Sequence, residues 1–112
     1  MKKEPVHRQS TVVGMPVKDT IQYVDENGTI CETPDRSRTW IAQTPQCFAY
    51  ELALSSYNNA IAAEDTFVTD DAMVVNRYGN VRSVMLEGGY ENIKVTTPED
   101  ILIAESLLKK CK

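Results

Sequence analysis

The order of apolar runs and chain breakers predicts an α/β fold: a strand, a hairpin, two helices, further strands and a last helix. Three observations carry that prediction. Asn27-Gly28 lies between two alternating β-prone runs, a specific hairpin signal. Thr69-Asp70-Asp71 and Thr97-Pro98-Glu99-Asp100 each read as a helix start. The 112 residues, 42% hydrophobic and 25% charged, admit one small core and exclude disorder or a disulfide scaffold.

Each element follows from its residues. Residues 1–10 are polar and basic and are expected to be flexible, so that 11–112 form a single partial α/β domain. Thr11-Val12-Val13-Gly14-Met15-Pro16-Val17 is apolar and β-branched, as a buried strand requires, and Pro16 limits its far end. Residues 20–33 form the hairpin, because Asn and Gly tolerate the positive φ of a tight turn. Trp40-Ile41-Ala42-Gln43 suits only a brief strand. Thr44-Pro45 then reads as a helix start, with Thr44 as cap and Pro45 at the first helical position, and the helix is expected over about 49–63 with Leu52, Ala53, Ser56, Ala60 and Ile61 facing the core. A short helix runs from the Thr69-Asp70-Asp71 start to Tyr78, and Gly79 is expected to stop it in the left-handed conformation. Residues 81–86 and 92–95 read as strands. The final helix carries acidic residues at its start and Lys109-Lys110 at its end, both matched to the helix dipole.

Composition excludes several functions. Twelve Lys and Arg against sixteen Asp and Glu give a net charge of −4, without the electrostatic footprint of a nucleic-acid binder. No apolar run approaches the roughly 18 residues that span a bilayer, and Met1 to Arg8 lack a signal peptide's apolar segment, so a cytoplasmic protein is expected. Cys31, Cys47 and Cys111 make no Cys-x-x-Cys pair and read as free thiols. His7 is the single histidine, which leaves catalytic triads and histidine metal sites little to build on. The five glycines form no phosphate-cradling loop, so the chain reads as the later part of a larger fold.

Four clusters remain: Pro16-Val17-Lys18-Asp19-Thr20, Asp35-Arg36 through Gln43-Thr44-Pro45-Gln46-Cys47-Phe48, Thr69-Asp70-Asp71-Ala72, and Asn92 through Asp100. In this order and spacing they closely resemble the C-terminal half of the 2-C-methyl-D-erythritol 4-phosphate cytidylyltransferase family. The resemblance covers about residues 12–110. It implies the C-terminal part of a Rossmann-like nucleotidyltransferase sheet with a projecting β-hairpin arm at about 20–33, through which two subunits form a homodimer. It also implies CMP transfer from CTP to the sugar phosphate with Mg²⁺, in non-mevalonate isoprenoid biosynthesis. Arg36 matches the arginine that reaches the partner's site to hold the substrate phosphate, and Lys94 the lysine that positions the attacking phosphate. Thr44 and Thr69 match substrate-contacting threonines.

The chemistry agrees with these roles. Two phosphorylated reactants repel one another, so the reaction asks mainly for positioning and fixed positive charge. Arg36 offers a planar fork for phosphate oxygens, and Lys94 a compact charge beside a strand end. Thr69 at a helix N-terminus adds a hydroxyl beside backbone N–H groups. Taken as residues alone, Arg36 is a solvated loop arginine, Lys94 an exposed strand lysine, and Thr44 and Thr69 helix caps. The same reading makes Asp70 and Asp71 dipole partners and Trp40 a packing residue.

The family's glycine-rich CTP loop and Mg²⁺-binding aspartate have no counterpart among these 112 residues. The chain by itself is therefore expected to be inactive and to bind neither CTP nor Mg²⁺ well. Two alternatives stand beside this reading: a ribitol-5-phosphate cytidylyltransferase fragment, and a non-catalytic dimerisation module.

Overall fold

A computed structural model describes residues 9–110. The expectations for residues 1–8, His7 among them, and for Cys111 lie outside them, whereas Ser10, expected within the flexible stretch, is buried and opens the first strand. The elements are β1 (Ser10–Pro16), β2 (Tyr23–Val24), β3 (Ile30–Glu32), a 3₁₀ turn (Arg36–Arg38), β4 (Trp40–Phe48), α1 (Tyr50–Ala62), α2 (Asp71–Tyr78), β5 (Val84–Glu87) and α3 (Pro98–Lys110). The chain forms two compact units, one holding the chain up to Val13 with Thr44–Glu87, the other Gly14–Gln43 and Gly88 onward.

Strands β4, β1 and β5 form a three-stranded sheet in that order. Ala49 N–H donates to Gln9 O at one end of the β4–β1 pair, and Val17 N–H to Thr39 O at the other, so those strands run in opposite directions. On the other side Ser10 meets Ser83 and Gly88 N–H reaches Gly14 O, which sets β5 parallel to β1. The sheet is thus mixed, and with its helices it is the α/β class expected.

The expected hairpin is present, with a turn chemistry that differs in detail. β2 and β3 pair antiparallel, Tyr23 opposite Glu32 and Val24 opposite Ile30, with a bulge between. The Asp25 carboxylate accepts the N–H groups of Asn27 and Thr29, both at 2.9 Å. Only Gly28 takes a positive φ, +83°. This is a type I turn closed by a left-handed glycine, so Asn27 needs no strained backbone.

Thr44-Pro45 does not start a helix. β4 continues through both residues as a nine-residue strand, with a cis peptide bond between them. A proline has no N–H for a ladder, and β4 tolerates one because it lies at the end of the sheet order. The helix begins later, with Ala49 as its N-cap and no side-chain capping bond.

In the first unit the buried apolar residues are Val12 of β1, Leu52 and Ala60 of α1, and Val74 and Val75 of α2. Buried Ser56 satisfies its hydroxyl on Leu52 O at 2.7 Å. Leu52, Ser56 and Ala60 follow the expected helical face, whereas Ile61 is 71% exposed because its neighbour Ala60 takes the inward position. The Asp70 carboxylate caps α2 by accepting Met73 N–H at 2.9 Å. Gly79 ends that helix at φ −99°, not left-handed; Asn80 takes the positive φ instead, at 57°. Glycine is required at 79 for space: a Cβ there would sit 2.6 Å from Val75 O and 2.9 Å from Leu52 Cδ1.

In the second unit Met15 is buried, and α3 has no buried residue. Its start follows the expectation. Thr97 Oγ1 accepts Asp100 N–H, and the Asp100 carboxylate accepts the N–H groups of Thr96 and Thr97, a reciprocal cap with Pro98 at the first helical position. Those bonds, the Thr96 and Thr97 N–H groups first, hold the Asp100 carboxyl below its usual range. Residues 92–95 are not a strand. Asn92 N–H turns back to Gly89 O at 3.1 Å and Ile93 N–H to Glu91 O at 2.9 Å, which diverts the backbone donors a ladder would use.

Candidate functional site

Arg36 opens the 3₁₀ turn at the base of the hairpin. Asp35 caps this turn, accepting Ser37 N–H at 3.0 Å and Ser37 Oγ–H at 2.8 Å. Those two bonds hold the Asp35 carboxyl below its usual range. Thr39 Oγ1 donates to Asp35 O at 2.6 Å and closes the turn. The Arg36 guanidinium donates through Nη1 to Lys18 O at 3.1 Å. Lys18 holds its ammonium 4.6 Å from the centroid of the Tyr90 ring, and the Tyr90 hydroxyl donates to Pro16 O at 3.0 Å. Pro16, Val17, Ile21, Ile41 and Tyr90 line a shallow, largely apolar cavity here of about 200 Å³.

Lys94 lies in the same compact unit, exposed, on the irregular stretch between the Gly89–Asn92 turn and α3. Without a ladder its ammonium projects from a loop and not from a strand edge. The turn that leads to it is braced by Gln43, whose Nε2 donates to Gly89 O at 2.9 Å.

Thr44 and Thr69 belong to the first unit. Thr44 is an exposed residue of the edge strand β4, not a helix cap. Thr69 is exposed one residue before the Asp70 cap, so the capping role falls to the aspartate. Gln46 braces this helix start: its Oε1 accepts Ala72 N–H at 3.1 Å and its Nε2 donates to Asp70 Oδ2 at 3.2 Å. Asp71 accepts the Tyr57 hydroxyl, which pushes that phenol up to about 12.

The structure therefore sets Arg36 and Lys94 in one unit and Thr44 and Thr69 in the other. Lys18 and Gln46 lie in the clusters that carry the resemblance but receive no individual role there, and Tyr90 lies in none of them. Tyr90 is 74 residues from Pro16, and no local pattern announces such a pair. Among the described residues no three His, Cys, Asp or Glu side chains converge to hold a metal ion. Cys31 and Cys47 are free and exposed. No described helix is long and apolar enough to cross a membrane.

Comparison with known proteins bears on all of these residues. A sequence model of the family "2-C-methyl-D-erythritol 4-phosphate cytidylyltransferase" matches residues 1–110. The curated enzyme of that name from Caldanaerobacter subterraneus subsp. tengcongensis is 46% identical over 103 residues, covering 91% of this chain and 44% of the relative. The one from Clostridioides difficile is 46% identical over 101 residues, covering 90% and 41%. The crystal structure of 4-diphosphocytidyl-2C-methyl-D-erythritol synthase from Anaerococcus prevotii superposes with a TM-score of 0.81 at 31% identity, over 90% of this chain and 44% of that one. The cytidylyltransferase from Thermus thermophilus gives 0.73 at 27% identity, over 90% and 48%. The fold is that of part of a Rossmann-like nucleotidyltransferase, and the chain spans less than half the length of these relatives.

Proposed function

Because this chain belongs to the 2-C-methyl-D-erythritol 4-phosphate cytidylyltransferase family, we propose that it supplies part of the sugar-phosphate site of such an enzyme. In the reaction, a phosphate oxygen of methylerythritol phosphate attacks the α-phosphorus of CTP. The new P–O bond forms as the α–β bridge breaks, and pyrophosphate leaves. Arg36 and Lys94 hold and orient the attacking phosphate by charge-assisted hydrogen bonds, which offset the repulsion between two polyanions. Thr44 and Thr69 contact the sugar. CTP binds outside these residues. Among the described residues no three carboxylates converge, and this reading gives these residues no role toward Mg²⁺.

The observation that carries this reading is the family match, which runs through Arg36, Thr44, Thr69 and Lys94. Titrating the isotope-labelled chain with methylerythritol phosphate is expected to shift the amide signals of those four residues. A response to ribitol phosphate alone would move the assignment to the related ribitol enzyme. No response to either would overturn it.

A second role, as a dimerisation arm, draws on the hairpin itself. Tyr23, Val24 and Ile30 are each more than half exposed on a two-stranded ribbon, an apolar surface with unpaired edges. A second copy covering that ribbon gives a homodimer, and Arg36 at its base then reaches the partner's site. Mass in solution checks this: a strict monomer across micromolar concentrations would exclude it.

A further inference from the structure

The carbonyl that receives Arg36 belongs to a turn tied at three successive residues. The Pro16 carbonyl accepts the Tyr90 hydroxyl at 3.0 Å, Val17 N–H donates to Thr39 O at 2.9 Å, and Lys18 extends its ammonium over the Tyr90 ring at 4.6 Å. A cation within about 6 Å of a ring centroid is attracted by the ring's negative face. Tyr90 thus grips the turn twice, by its hydroxyl at one end and its ring face at the other. Its own backbone is braced as well, because Gly89 O accepts both Gln43 Nε2–H and Asn92 N–H. Lys18 O then takes Arg36 Nη1–H at 3.1 Å.

We propose that Tyr90 is a positioning residue for Arg36, acting through the turn at residues 16–18. The proposal rests on the assignment of Arg36 to the substrate phosphate. A long arginine side chain loses much rotamer freedom when it clamps an anion, so a carbonyl that already holds one arm of the fork lowers that cost. Such a carbonyl is useful only if it stays in place. Tyr90 keeps it there from a position 44% exposed, outside the buried core. Tyrosine serves both grips, whereas phenylalanine keeps only the ring face and leucine neither.

The test uses the isotope-labelled chain with Tyr90→Phe, Tyr90→Leu, Lys18→Met and, separately, Arg36→Ala. Two quantities are read: fast motion of the Arg36 Nε–H by nuclear relaxation, and affinity for inorganic phosphate. Tyr90→Leu is expected to mobilise the Arg36 side chain and weaken phosphate binding about two- to fivefold. Tyr90→Phe restores part of both, and Lys18→Met, which keeps the carbonyl, loses part of both. If Tyr90→Leu folds poorly, the other two variants carry the test. Unchanged Arg36 motion in the Tyr90 and Lys18 variants would overturn the proposal. Phosphate binding undiminished in Arg36→Ala would instead remove the phosphate assignment of Arg36, with the motional coupling to Tyr90 still measured on its own.

Discussion

Asp65 accepts the Tyr78 hydroxyl at 2.6 Å, and this bond ties the loop after α1 to the last residue of α2. The same carboxylate oxygen takes Arg77 Nη1–H at 2.7 Å, while its partner oxygen takes Phe67 N–H at 2.9 Å. One acidic side chain therefore gathers three donors from the two ends of a helical pair. The Tyr78 bond, then the Phe67 N–H, then Arg77 lower its pKa to about 2.

Acid should open this junction in a defined window. Asp65 titrates lower folded than unfolded, so its stabilisation is present above the ordinary value of 3.8 and is lost as pH falls from there towards about 2. Thermal unfolding followed between mildly acidic pH and that limit is expected to show the midpoint falling. Asp65→Asn should start lower and fall less, and a slope identical to the parent's would exclude the role. Asp35 and Asp100, also held low, should contribute to the slope that remains.

Alkali acts at the other end of α2. Tyr57 is raised to about 12, because Asp71 accepts its hydroxyl and burial disfavours the phenolate. A phenol whose pKa rises on folding contributes stability fully below about 10 and loses it as pH climbs towards 12. Tyrosinate absorbance should show Tyr57 titrating late, with Tyr78 also delayed by Asp65. Tyr57→Phe should remove the later step.

Gly79→Ala tests close packing. The added methyl meets Val75 O at 2.6 Å and Leu52 Cδ1 at 2.9 Å, besides the Ser56 hydroxyl. Overpacking of this kind costs about 1–3 kcal/mol, read by denaturant unfolding. Adding Ser56→Ala should recover only part of the loss, since the Val75 carbonyl is backbone and cannot rotate away.

In the whole enzyme, Arg36→Ala and Lys94→Ala should each lower kcat/KM for the sugar phosphate roughly 10-fold to 150-fold, from the loss of about 1.5–3 kcal/mol of charge-assisted bonding. KM for CTP should stay near the parent value. Mixed under subunit exchange, the two variants should regain activity if Arg36 serves the partner's site. Mixtures no more active than either variant alone would place Arg36 in its own subunit's site.

The sequence by itself determined what depends on neighbours along the chain. Asp25 to Gly28 encode their turn because the Asp25 carboxylate and the left-handed glycine act within five residues. Thr97 and Asp100 encode the start of α3 through one turn of reciprocal bonds. The ordered clusters made the family legible for the same reason, since a spacing of residues is a linear property. Tertiary structure alone decided the rest. Thr44-Pro45 resembles a helix start until an antiparallel partner on one side draws it into an edge strand. Gly79 resembles a left-handed stop until α1 packs against it, where absent volume matters and not φ. Residues 92–95 have the composition of a strand, but a strand exists only when another supplies its hydrogen bonds, and here the donors turn back on the chain. The Tyr90 grip on the turn below Arg36 joins positions 74 residues apart, a contact that no local pattern of side chains specifies.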